Sequence, residues 1–265
     1  MGEGAKQIQR HKKARKRLAE VIGNADRVVV IHYSCESFYD RPNGSSPRIT
    51  SIAVLNLETR QTQSFSIHQM AERKGYSAAQ LEQHYNELEK LMLDEFYNYV
   101  RTHAEYTWLH WNMRNINFGF QAIAHRHKKL GGQPVEIHDS QLVDLSNLLI
   151  KIYGVRYAGH PRLPNLVDLN DITRQDFLTG AEEAEAFERK DYVKLHQSTL
   201  RKVDILASVV ERAYNGRLKT HAKIKDIYGS YPDALSEFLR EHWLPTLIAF
   251  VSAVLGIIAF VWASL

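Results

Sequence analysis

The 265-residue chain has a single cysteine, Cys35, so no internal disulfide can form and a cysteine-rich zinc site is excluded. That usage fits a reducing compartment. Proline is sparse, at seven residues, and neither an internal repeat nor a low-complexity tract interrupts the chain. A fibrous or linker-dominated protein is thereby excluded. Acidic residues are scarce near the start, where Lys6, Arg10, Lys12, Lys13, Arg15, Lys16 and Arg17 have only Glu3 and Glu20 beside them. Such a run attracts nucleic acid or anionic lipid headgroups, or forms the solvated face of a helix. No apolar stretch follows it, so a cleaved secretory leader is not expected.

What is present is a globular balance, 44% hydrophobic and 24% charged residues, with a mild net charge of +4. The strongest single signal lies at the other end. Residues 243–265 contain no charged side chain, and 247–262 are almost wholly Leu, Ile, Val, Phe, Ala and Gly. As a helix that segment would span about 34 Å, enough to cross a hydrocarbon core of roughly 30 Å. Trp243 and Trp262 stand near its two ends, where indoles favour the membrane interfaces. All Lys and Arg precede the segment, so the expected arrangement is a single C-terminal span with the soluble part in the cytosol. The expected division is a basic helix (1–26), a folded domain (27–220), a linker helix (221–242) and a transmembrane tail anchor (243–265).

Periodicity orders the elements of the domain. Residues 28–37 read as a buried strand with a polar tip, followed by strands at 49–57 and 62–67 in an antiparallel meander. A helix is expected over 77–102, opened by the Ser77–Gln80 capping pair. A strand at 106–111, a helix ending at Gly131-Gly132, a short strand at 135–137, a helix at 142–153 and one or two helices over 181–214 complete the series. The expected class is α/β, a mixed five-stranded sheet flanked by helices. In the first strand, alternation places His32, Ser34 and Glu36 on one face, with Ser34 and Glu36 roughly 6–7 Å apart, and Cys35 on the core side. His125, Arg126, His127, Lys128 and Lys129 read as a solvated helix face, and Trp108 as core.

Residues 30–37, Val-Ile-His-Tyr-Ser-Cys-Glu-Ser, resemble the first motif of the DEDD-type 3′–5′ exonucleases, in which an apolar strand ends in Asp-x-Glu-Thr. The hairpin at 49–67 is similar to the one that follows in that family. Trp108-Leu-His-Trp-Asn-Met113 with Asn115, Asn117 and Phe118 resembles the second motif. His138-Asp139-Ser140 and the helix after it resemble a further Asp-Thr element, and Leu200-Arg-Lys-Val-Asp204 the last helix.

The resemblance implies a ribonuclease-H-like fold and nucleic acid as partner. It also implies hydrolysis by two Mg²⁺ or Mn²⁺ ions about 4 Å apart, held by four carboxylates. Two of the four are retained here, Glu36 and Asp204; Ser34 stands at the third position, and Asn117 or Asn115 at the fourth. The general-base position falls at Thr199 or Leu200, with His196 one turn earlier as substitute. Ser34, Asn117, Trp111 and Asn112 would bound a nucleic-acid groove. The expected activity is that of a membrane-anchored exonuclease-like protein. Its alternative is a catalytically silent nuclease-fold sensor or adaptor, with the tail as anchor or effector and self-association in the membrane.

Overall fold

The computed structural model describes residues 3–36, 47–114 and 118–229, together with 232 and 235. Five strands form one mixed sheet in the order β3-β2-β1-β4-β5. They are β1 (Val28–Cys35), β2 (Ile49–Asn56), β3 (Thr62–Ser66), β4 (Thr107–His110) and β5 (Leu142–Asp144). β1, β2 and β3 pair antiparallel, whereas β4 and β5 run parallel to β1. The α/β class and the strand count are therefore as the sequence implies.

β1 is buried on both faces because its alternate side chains enter two separate cores. Val28 and Val30 pack with helices α1 (Glu3–Gly23), α6 (Leu145–Tyr153) and α9 (Tyr192–Tyr214). Val29, Ile31, Tyr33 and Cys35 pack beneath α2 (Ile67–Lys74) and α4 (Tyr85–Thr102). Each fully buried aliphatic side chain in such a core contributes about 1.5–3 kcal/mol.

Each face also holds an ion pair at the carboxyl end of β1. Under α4, Arg126 of α5 (Phe120–Lys129) clasps Glu89 at 2.5 and 2.9 Å, and Glu89 accepts the Ile49 amide of β2 at 2.7 Å. Under α9, Lys202 meets Glu183 of α8 (Gly180–Glu188) at 2.7 Å.

Several boundaries differ from expectation for identifiable reasons. The stretch 135–137 is not a strand; Val135 and Ile137 pack sideways against the α4 core. The fifth strand is instead Leu142–Asp144, paired with Trp108–His110. It is hidden in the sequence because Asp144 at once turns to cap α6, accepting the Asn147 amide at 3.3 Å. The helix expected over 77–102 is two, α3 (Ala78–Leu81) and α4, preceded by α2, which was not expected.

The solvated-face reading of 125–129 fails for Arg126 and His127. His127 is 1% exposed, stacks on Tyr97 and meets Asp94 at 2.7 Å. α7 (Arg162–Leu169) and α10 (Ile224–Tyr228) complete the helices among the described residues. No described helix is long and apolar enough to cross a membrane, and the apolar segment 243–265 lies outside the described residues.

The basic helix is joined to the domain rather than standing ahead of it. Ala14, Leu18 and Val21 sit in the α6–α9 core. Arg15 donates to the Ala213 carbonyl at 2.8 Å, at the end of α9. His11 Nδ1 contacts the Ile152 carbonyl, also at 2.8 Å, at the end of α6. Side-chain N–H groups at helix C-termini satisfy open carbonyls, and the Arg15 guanidinium also suits the helix dipole. Part of the basic run is thereby structural.

Candidate functional site

The face of β1 singled out by alternation carries a buried polar cluster. Ser34 is fully buried and lies 2.9 Å from Glu183 Oε1 and 2.7 Å from Thr199 Oγ1; Thr199 in turn lies 2.7 Å from Ser51 Oγ of β2. Each hydroxyl has one proton to give. Ser34 gives its proton to Glu183, Ser51 can donate to Thr199, and the one Thr199 proton is shared between Ser34 and the Leu195 carbonyl, 2.9 Å away. Glu183 Oε1 accepts three donors: Ser34, Ser198 Oγ at 3.0 Å and Lys202 Nζ at 2.7 Å. The Lys202 ammonium also stands 5.6 Å from the centre of the Phe177 ring. Burial, reinforced by the Lys202 charge, holds the pKa of His32 well below 6.5, so its ring is neutral.

The local sequence explains this assembly. Leu195, Thr199, Lys202, Leu206 and Val209 lie along the buried stripe of α9, so Lys202 is carried into the core by helical periodicity. Thr179 caps α8 in a capping box with Glu182, which fixes the first turn that delivers Glu183. A buried ammonium and a buried carboxylate must find each other or stay uncompensated.

The expected site residues are distributed differently. Glu36 lies one residue beyond β1, half-buried, and its carboxylate accepts the Arg48 amide at 3.2 Å. The register shifts between Ser34 and Cys35, which pair with Ser51 and Ile49, so a bulge on β2 leaves Thr50 as the extra residue opposite the tip of β1. Asp204 is on the solvent side of α9, its side chain 53% exposed, with Arg201 at 2.6 Å and Arg60 of the β2–β3 turn at 4.0 Å. It stands about 7.5 Å along the helix from Thr199. His196 is buried beside His68, ring centres 4.9 Å apart, and burial with the His68 charge lowers its pKa to about 4. Asn117 lies outside the described residues.

Trp111 packs against the α9-side core. Asn112, at φ 57°, donates its amide to Asp144 at 3.2 Å and accepts from Arg114 at 3.0 Å. These two belong to the ends of β4 and β5. There, on the opposite face of the sheet, a cleft of about 630 Å³ is lined by Phe96, His110, Arg114, Phe120, Lys128 and Asp144, among others. Arg114 pairs with Asp144 across it.

Two divalent ions need clustered, negatively charged oxygen ligands. In the cluster brought together here, the one carboxylate is matched by one ammonium, and the other oxygens are neutral hydroxyls. Among the described residues, no three His, Cys, Asp or Glu side chains come close enough to hold a metal ion. The donor set around Ser34 therefore does not fit Mg²⁺ or Mn²⁺.

Sequence reasoning missed Glu183 and Lys202. The available signal was Lys202 on an otherwise buried helical stripe, since such a lysine demands an acidic partner. Set against known proteins, the chain matches no family model, no curated protein and no solved structure.

Proposed function

We propose that the chain is a ribonuclease-H-like module that binds nucleic acid without hydrolysing it, tethered to a membrane by residues 243–265. The strand order β3-β2-β1-β4-β5 with β3 and β1 each antiparallel to β2 supports the ribonuclease-H-like assignment at the level of topology. One observation carries the non-hydrolytic reading. Beside Ser34, at the tip of β1, the positive charge next to the carboxylate is the protein's own Lys202 ammonium. The chemistry of two-ion hydrolysis requires a metal to activate water and to stabilise the leaving oxygen, and an ammonium does neither in that way. The uncharged run at 243–265 supports the tether, and the resemblance of 30–37 and 108–118 to exonuclease motifs supports nucleic acid as ligand.

The test uses the full chain in detergent micelles with end-labelled single-stranded DNA and RNA in Mg²⁺ or Mn²⁺. Retention of the oligonucleotide with no shortened product is expected. Shortened product that disappears in both Glu36→Gln and Asp204→Asn would overturn the reading and restore the hydrolytic one.

A further inference from the structure

The exposed face of α1 is the strongest charged feature outside the polar cluster. Lys6, Arg10, Lys13 and Lys16 are all exposed, with Arg17 beside them. At 100° per residue the five fall within a sector of about 120°, whose midline lies about 140° from the buried Ile8 and Leu18. Lys6 to Arg17 spans about 16 Å of helix axis. Arg17 is matched by Glu20 at 3.3 Å, whereas Lys6, Arg10, Lys13 and Lys16 meet no acidic side chain among the described residues. The inner polar side chains of the same helix, Arg15 and His11, are occupied with the carbonyl ends of α9 and α6. The outer stripe is left to solvent on a helix anchored rigidly to the core.

The path of the chain supplies a second, independent observation. α10 docks on the first half of α1: Gln7 donates to the Asp226 carbonyl at 2.6 Å, and the His11 and Tyr228 rings lie 5.4 Å apart. The described chain therefore leaves the domain beside the first half of α1, on the flank that carries Gln7 and His11 rather than on the basic stripe itself. Only residues 229–242 separate that point from the uncharged segment 243–265. Fully extended they reach at most roughly 48 Å.

We propose that the exposed face of α1 is a bilayer-docking surface for anionic phospholipid headgroups, which holds the domain against the leaflet that the C-terminal segment enters. This inference rests on the tail-anchor reading. Each lysine or arginine close to an anionic leaflet improves partitioning by roughly fivefold, and more than one such signal is needed for stable orientation. A nucleic-acid duplex would also accept such a stripe. The exit of the chain beside α1 favours the membrane.

The full chain is reconstituted into vesicles of phosphatidylcholine alone or with three parts in ten phosphatidylserine, each carrying a headgroup nitroxide lipid. A fluorophore is placed at Gln9→Cys on the exposed face; Cys35 is buried and stays in place. Quenching should be at least fivefold greater in the anionic vesicles. It should fall to the phosphatidylcholine level in 1 M salt and in the combined variant Lys6→Glu, Arg10→Glu, Lys13→Glu, Lys16→Glu. A cooperative thermal transition verifies that the variant folds.

Flotation with both vesicles but equal quenching in both overturns the docking surface and leaves the anchor standing. Flotation with anionic vesicles only, lost in the charge-reversed variant, supports the docking surface and overturns the anchor. Flotation with neither overturns both. Unchanged quenching in the reversed variant, together with lost oligonucleotide binding, assigns the face to nucleic acid and overturns the proposal.

Discussion

Replacing Lys202 by Met removes the ammonium and keeps most of the side-chain volume, so the effect reports charge rather than a cavity. Lys202 Nζ lies 2.7 Å from Glu183 Oε1, with the two side chains 6% and 0% exposed. The carboxylate left behind keeps only the Ser34 and Ser198 hydroxyls. Stranding one member of a buried pair costs about 3–5 kcal/mol. For a domain of this size, that loss lowers Tm by about 6–20 °C at 2–4 °C per kcal/mol. Adding Glu183→Gln removes the stranded charge, so the double variant should recover at least half of the loss. The coupling energy follows from the four-member cycle, measured by guanidinium unfolding of the wild type, both single variants and the double variant. A loss below about 1 kcal/mol for Lys202→Met, or additive single effects, would refute the pairing as the organiser of the site.

Four further outcomes follow from the same geometry. His196 with a pKa of about 4, His110 also at about 4, and His32 lowered well below 6.5 are neutral in the folded state but titrate near 6.5 when unfolded. Their contribution is full above pH 6.5 and is lost as pH falls from 6.5 towards 4. Each histidine adds up to about 1.4 kcal/mol per pH unit within that window, and denaturant unfolding at pH 7, 6 and 5 should show a slope that His196→Phe reduces. Tyr33→Phe strips the acceptor from the buried Gly119 amide, 2.9 Å away, and should cost about 1–3 kcal/mol by chemical denaturation. Asp204→Asn removes an exposed ion pair and should shift stability by no more than about 0.5 kcal/mol in the same assay. Gly154 has φ 86°, and a Cβ there would sit 2.6 Å from the Asp226 carbonyl. Gly154→Ala should therefore loosen α10 from α1, seen as faster amide exchange over 224–228.

The sheet was legible in the sequence where burial imposes a simple pattern. The apolar run of β1 marks a strand buried on both faces, and the alternation of Phe65 and Ile67 with polar neighbours marks β3. β5 was not legible, because three residues carry too little periodicity and the helix that follows overwrites them. The division between α3 and α4 was lost for a related reason: the apolar spacing runs on through the break.

For the candidate site, alternation identified the Ser34 face, and that face does carry the buried polar cluster. The last helix was also identified, but not its rotation. A carboxylate at Asp204 was expected to face β1, whereas Lys202, two residues earlier and on the buried stripe, faces the cluster. Motif matching assigns residue types to positions; the apolar stripe of α9 assigns them to faces. Glu183, on a separate helix, is brought in by tertiary contacts with Lys202, Ser34 and Ser198 that no local pattern announces.

The most direct test of the account is Mn²⁺ titration of the full chain in detergent, followed by the electron paramagnetic resonance signal of the free ion. The internal Lys202–Glu183 pair predicts no Mn²⁺ uptake that depends on Glu36, Glu183 or Asp204 at millimolar metal. Stoichiometric uptake that is lost in Glu36→Gln and in Asp204→Asn would contradict it.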